Sequence, residues 1–276
     1  MKTPRRLTLS NRQDFPTSWT ADNKAVIFLS NRNGHWDIFK QEISQTTAEA
    51  LVVNQEHKLE PRLSPDGSWI LYRIVPGPGS PDEHRLMRLP VGGGPPQLVL
   101  KGKDIVGFFC ARPPSALCVF SQRINRQLIF STFDPLKGQG PELFRVELEP
   151  QLENWFFWNL SPDGSRIALP GPAKSGGLVR ILSLKGELLK EIPIKDVDGV
   201  SSAYWSVDGK GMYVSATYHS NDDELLYVGL DGKTEVLWQG INHAWAPGGA
   251  IPSPNGQYLA IFGIMWDANV WMIENF

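Results

Sequence analysis

The sequence predicts an all-β fold, a six-bladed β-propeller of four-stranded antiparallel blades. Three observations predict it. A turn motif recurs along the chain, short alternating apolar runs flank each copy, and 26 glycines and 22 prolines punctuate the chain too often for long helices. The turn reads Ser64-Pro65-Asp66-Gly67, Ser161-Pro162-Asp163-Gly164, Ser206-Val207-Asp208-Gly209 and Ser253-Pro254-Asn255-Gly256, with Thr20-Ala21-Asp22-Asn23 as its first copy. Positions 20 and 64 lie 44 residues apart, 161 and 206 lie 45 apart, and 206 and 253 lie 47 apart. The 97 residues from 64 to 161 make two periods, with Arg112-Pro113-Pro114-Ser115 as a degenerate copy between them.

Each element follows from that frame. Asp-Gly or Asn-Gly between alternating apolar runs is a hairpin signal. The run after each turn supplies a second strand: Val26-Phe28, Ile70-Tyr72, Cys118-Phe120, Ile167-Leu169, Met212-Val214 and Leu259-Phe262. The segment before each turn supplies a first strand, often aromatic, as at Trp19, Phe108-Phe109, Trp158 and Trp205. Third strands follow at Asp37-Phe39, Leu86-Leu89, Leu128-Phe133, Val179-Leu184, Leu225-Leu230 and Val270-Ile273, and fourth strands after Gly-rich turns such as Gly92-Gly94. Four antiparallel strands at this period make a propeller blade. The blades fall at 14–55, 60–101, 104–150, 154–194, 199–240 and 242–276, the last lacking a fourth strand. Residues 5–10 supply it: Arg6-Leu7-Thr8-Leu9 reads as an outer strand that closes the ring and makes the 276 residues one domain.

The repeat resembles the TolB-like, WD-like propellers of bacteria, whose blades read aromatic-Ser-Pro-Asp-Gly, an apolar strand, then Ser-Asn/Asp-Arg-x-Gly-x-x-Asp-Ile-Tyr/Phe. Ser30-Asn31-Arg32-Asn33-Gly34-His35-Trp36-Asp37-Ile38-Phe39 matches the second half. The segment Trp266–Phe276 is similar to the end of propellers fused to bacterial serine/threonine kinases or winged-helix regulators, which implies a sensory or interaction module. The kinase motifs themselves are missing from the sequence.

Composition excludes several classes. The net charge of −2 opposes nucleic-acid binding, and no run of about 18 apolar residues predicts a membrane span. The start carries no apolar signal region. The reading is therefore cytoplasmic if Met1 is the natural start, and extracytoplasmic if the chain is the distal part of an anchored regulator. Cys110 matches Ser18, Arg62 and Asn159, a polar column, while Cys118 matches Val26, Ile70 and Ile167. The two cysteines are expected on opposite faces, unbonded.

Candidate ligand residues cluster on the face formed by the loops entering first strands and leaving second strands. The blade entries carry Asp14, Glu60, Asp104, Asn154, Asp198 and Asn242, and the five histidines (His35, His57, His84, His219, His243) fall in the same connections. These histidines are read as exposed loop residues, without metal spacing. Trp155 and Trp245 add amphipathic aromatics at that mouth, and Trp266 stays unexplained. The ligand-site expectation is therefore Glu60, Asp104, Asn154, Trp155, Asp198, His243 and Trp245. No catalytic residue, metal or cofactor is expected: Gly199-Val200-Ser201-Ser202-Ala203 lacks the strand-turn-helix context of a nucleophile elbow. The Ser-Pro-Asp-Gly turns read as structure, since proline presets the turn, Asp bonds its own backbone and glycine takes positive φ. The functional expectation is a non-catalytic binding or sensory module for a protein, peptide or small ligand. The alternative is a calcium-dependent lactonase-like hydrolase in which the entry ring of oxygen ligands holds the ion.

Overall fold

The computed structural model describes residues 4–77, 83–148, 157–171, 176–217, 223–240, 249–265 and 267–274. Its strands form a β-propeller of four-stranded antiparallel blades. The first sheet holds β2 (Asp14–Trp19), β3 (Ala25–Ser30), β4 (Asp37–Glu42) and β5 (Glu49–Val52). The second holds β6 (His57–Leu63), β7 (Trp69–Val75), β8 (His84–Pro90) and β9 (Gln97–Gly102). The third holds β10 (Ile105–Cys110), β11 (Cys118–Ile124), β12 (Gln127–Asp134) and β13 (Gly138–Glu147). The fourth holds β14 (Asn159–Leu160), β15 (Arg166–Pro170), β16 (Gly177–Ser183) and β17 (Leu188–Ile194). The fifth holds β18 (Gly199–Trp205), β19 (Gly211–Thr217), β20 (Asp223–Gly229) and β21 (Thr234–Gly240).

The last sheet runs β22 (Ala250–Pro252), β23 (Tyr258–Met265), β24 (Asp267–Glu274) and then β1 (Arg5–Arg6). Arg5 lies opposite Met272, and Arg6 opposite Trp271. The outer strand is thus shorter than the Arg6–Leu9 expected. Beyond Arg6 the chain leaves the ladder to dock on the first sheet, where Leu7 is buried and the Gln41 side-chain amide donates to its carbonyl at 2.8 Å. The first strands β2, β6, β10, β14 and β18 pack in succession around the axis, β22 packs against β19, and β2 meets β22, β23 and β24. No helix among the described residues is long and apolar enough to cross a membrane.

The recurring turn is held by its own side chains. The hydroxyl of Ser206 donates to Asp208 at 2.7 Å and accepts the backbone N–H of Gly211 at 3.1 Å. Ser253 repeats this with Asn255 and Tyr258, and Thr20 with Asp22 and Ala25. Gly67, Gly164, Gly209 and Gly256 close their turns at positive φ between 66° and 76°. The aspartates are held below their ordinary value of 3.8, chiefly by the serine hydroxyl at Asp66 and Asp208. At Asp163 burial opposes this, and the bonds from Ser161 and Ser165 prevail.

Tryptophan indoles latch neighbouring sheets. Trp19 donates to the Ile251 carbonyl at 2.8 Å, Trp158 to Ser121 Oγ at 2.7 Å and Trp205 to the Asn159 carbonyl at 3.3 Å. The Ser30–Phe39 segment is likewise structural. Lys58, wholly buried on β6, reaches Asp37 at 2.9 Å and three backbone carbonyls. Asp37 also accepts from Asn33 and from the Asn54 backbone.

The third sheet corrects the expectation for the cysteines. Cys110 and Cys118 stand directly opposite one another on β10 and β11 and form a disulfide. In the other sheets the turn closes from residue i to i+5, as Ser64 N–H to Trp69 carbonyl; here Ala111 bonds Leu117, one residue longer. Ala111, rather than Arg112, therefore occupies the serine position. Cys110 moves into the column of Trp19, Leu63, Leu160 and Trp205, and cross-strand neighbours at directly opposed positions share a face. Trp158 also shifts. It sits two residues before Leu160, which stands in the column of Trp19 and Trp205, and is buried between sheets.

Candidate functional site

The entry end of the axis, where the ligand face was expected, is built from charges that satisfy one another. Asp14, fully buried at the start of β2, accepts from Arg32 at 3.1 Å and from Ser10 Oγ at 2.9 Å. Glu60 accepts from Arg73 at 3.0 Å, and Arg73 also donates to the Ile105 carbonyl of the next sheet. Asp104 accepts from Arg123 at 2.6 Å. Each pair clips the first strand to the second, and Glu60 and Asp104 take positive φ as they do so. Asp198 is also engaged. Carboxylates already neutralised by arginine do not fit a calcium ring. No group of three or more potential metal ligands comes together among the described residues.

Three histidines sit at this end. His35 and His57 keep exposed surface, and partial desolvation of the His57 imidazole, then the charges of Lys58 and Arg73, hold it below its ordinary value. His84 Nδ1 lies 3.1 Å from the Ile105 carbonyl. Asn154, Trp155, His219, Asn242, His243, Trp245 and Trp266 lie outside the described residues.

The described cavity opens at the other end, among the Ser-Pro-Asp-Gly turns. It is a funnel of about 750 Å³ on the propeller axis, lined by the ends of β2, β6, β10, β14, β18 and β22. Of the expected ligand residues, the described ones, Glu60, Asp104 and Asp198, do not line it. Among the residues that do, six occupy one column, two places before each turn serine or its equivalent: Ser18, Arg62, Phe109, Asn159, Tyr204 and Ile251. Register confirms their equivalence, since they oppose Ile27, Leu71, Val119, Ala168, Tyr213 and Ala260 on the second strands. This was the column judged merely polar, with Cys110 standing in error where Phe109 belongs. Reading each repeat back two residues from the serine is the signal that finds it.

Arg62, Phe109 and Tyr204 meet across the axis. The Arg62 guanidinium lies 3.9 Å from the Phe109 ring centroid and 5.9 Å from that of Tyr204, and the two rings are 6.3 Å apart. Phe109 rests edge-on against Trp158 at 4.9 Å. A side chain at Gly249 would strike the Tyr204 ring, its Cβ falling 2.4 Å from Cε2. This floor is therefore tightly packed from behind.

The rim is crossed by one strap. Arg112, from the long turn of the third sheet, donates to the carbonyls of Pro254 and Pro252 in the last sheet, at 3.1 and 3.3 Å. Its backbone N–H donates to the Pro162 carbonyl at 2.7 Å. Burial pushes the Arg112 guanidinium below its ordinary value. Arg166 lies over Trp205 at 4.7 Å and donates to the Gly209 carbonyl.

Comparison of the whole fold with solved structures gives long matches. TolB from Acinetobacter baumannii matches with TM-score 0.72 and 12% identity, over 92% of this chain and 62% of that one. The fold is a TolB-like β-propeller. A putative TolB from Agrobacterium tumefaciens matches with TM-score 0.67 and 14% identity, over 96% of this chain and 91% of that one. An oligogalacturonate lyase from Vibrio parahaemolyticus matches with TM-score 0.61 and 11% identity, over 99% of this chain and 93% of that one. The chain spans about three fifths of the length of the Acinetobacter protein. At these identities the likeness concerns the fold alone. No protein-family signature matches the chain, and no curated protein matches it by sequence.

Proposed function

We propose that the chain is a non-catalytic, six-bladed binding propeller, one closed unit, that takes an extended peptide segment of a partner protein into the funnel at its turn face. The observation that carries this reading is the column of Ser18, Arg62, Phe109, Asn159, Tyr204 and Ile251, which turns the ends of the first strands into one recognition surface. Each of those strands is the edge of its sheet, a position that offers backbone groups to a guest strand, although the Asn159, Ile251 and Pro252 carbonyls are already engaged by Trp205, Trp19 and Arg112. Aromatic and aliphatic walls give such a guest area to bury. Catalysis has little support in the funnel. Among the described residues its lining carries no histidine, Cys110 is bonded to Cys118, and Ser64 is committed to its turn.

The test is a peptide array probed with the intact protein and with Ser18→Trp, which places a large ring on the funnel column. Binding of a defined set of peptides, reduced at least tenfold by the substitution, is the expected result. Equal binding by both proteins removes the funnel from the reading. The hydrolase alternative has its own discriminator: stoichiometric calcium together with lactone hydrolysis lost on chelation favours the enzyme.

A further inference from the structure

We infer that Arg62 is the recognition point for a carboxylate of the bound peptide, an inference that rests on the funnel being a peptide site. Arg62 differs from every other arginine near the axis. Arg32, Arg73 and Arg123 each hold a carboxylate, and Arg112 and Arg166 donate to backbone carbonyls. Arg62 has no hydrogen bond or ion pair among the described residues. Its Nε is buried without a partner, while its guanidinium borders the open funnel. Such a group is retained at a cost in desolvation that a ligand oxygen would offset.

Geometry selects the chemistry. The flat guanidinium rests on Phe109 at 3.9 Å, which fixes its plane and leaves its edge for in-plane acceptors. A planar carboxylate takes two parallel N–H bonds from that edge. One cation at the floor balances one negative charge. A phosphate dianion would bring a second charge onto an aromatic floor that has no second free donor among the described residues. The rim aspartates do not compete, because Asp66, Asp163 and Asp208 are bound to their turn hydroxyls. The carboxylate comes from an Asp or Glu side chain or from a chain terminus, and the experiment separates these.

Saturation-transfer NMR on the intact protein with four probes tests the inference: N-acetylglutamate α-amide, N-acetylglutamine, the neutral N-acetylglutamine amide, and inorganic phosphate. Either carboxylate probe should bind, at least tenfold more tightly than the neutral amide or phosphate, and Arg62→Met should abolish that binding without lowering Tm. A preference for the first probe assigns the carboxylate to a side chain, and for the second to a terminus. Binding of the neutral amide or phosphate as tightly, retention by Arg62→Met, or no binding of any probe overturns the inference. The array separates this from the wider reading. Peptides that bind regardless of carboxylates and of Arg62 leave the peptide site standing and remove the role of Arg62. Carboxylate probes that bind where no peptide does remove the peptide site alone.

Discussion

The two ends of the axis use the same residue types for opposite purposes. At the entry end Arg32, Arg73 and Arg123 are matched by Asp14, Glu60 and Asp104, and buried Lys58 is matched by Asp37. At the turn end Arg62 faces aromatic rings and an open funnel without a counter-charge among the described residues. Matched charges hold strands together, whereas an unmatched one adds little to folding and marks where something else binds. Charged residues in a column therefore locate a ligand site only after their partners are counted.

The largest expected effect breaks the matched end. Lys58→Met leaves Asp37 buried with no cation and should destabilise the fold by about 3–5 kcal/mol in denaturant unfolding. A loss under about 1 kcal/mol would show that the entry end is not held by its charges. A smaller effect sharpens the turn end. The turn aspartates titrate below 3.8 when folded, so they stabilise the protein above that value and lose this contribution as pH falls through and below it. Tm should therefore decline below about pH 4, and Asp66→Asn combined with Asp208→Asn should blunt that decline.

Much of the fold was legible because its cause is local. A serine that bonds both an aspartate and the N–H five residues on needs only a short stretch of chain, and it recurs visibly. Closure by residues near Arg6 was legible from the missing last strand. The third sheet was not, because the extra residue between Ala111 and Leu117 shifts its strand by one position, and one position moves a side chain to the other face. That slip hid both the disulfide and the place of Phe109 in the funnel. The funnel at the turn end went unread for a different reason. Acids at strand entries resemble ligands until the arginines opposite them are known, and Arg73 lies 13 residues from Glu60 with nothing in the spacing to announce the pair.

The most direct measurement compares the thermal stability of Arg62→Met and Arg73→Met under one condition. Arg73→Met strips Glu60 and the Ile105 carbonyl of their partner and should cost about 2 kcal/mol, some 4–8 °C in Tm for a chain of this size. Arg62→Met exchanges an unpartnered donor and its cation–π contact for an apolar side chain that can pack on the same Phe109 ring, and should leave Tm close to unchanged. A fall in Arg62→Met equal to that in Arg73→Met would show that Arg62 is part of the scaffold, and the contrast between the two ends would fail.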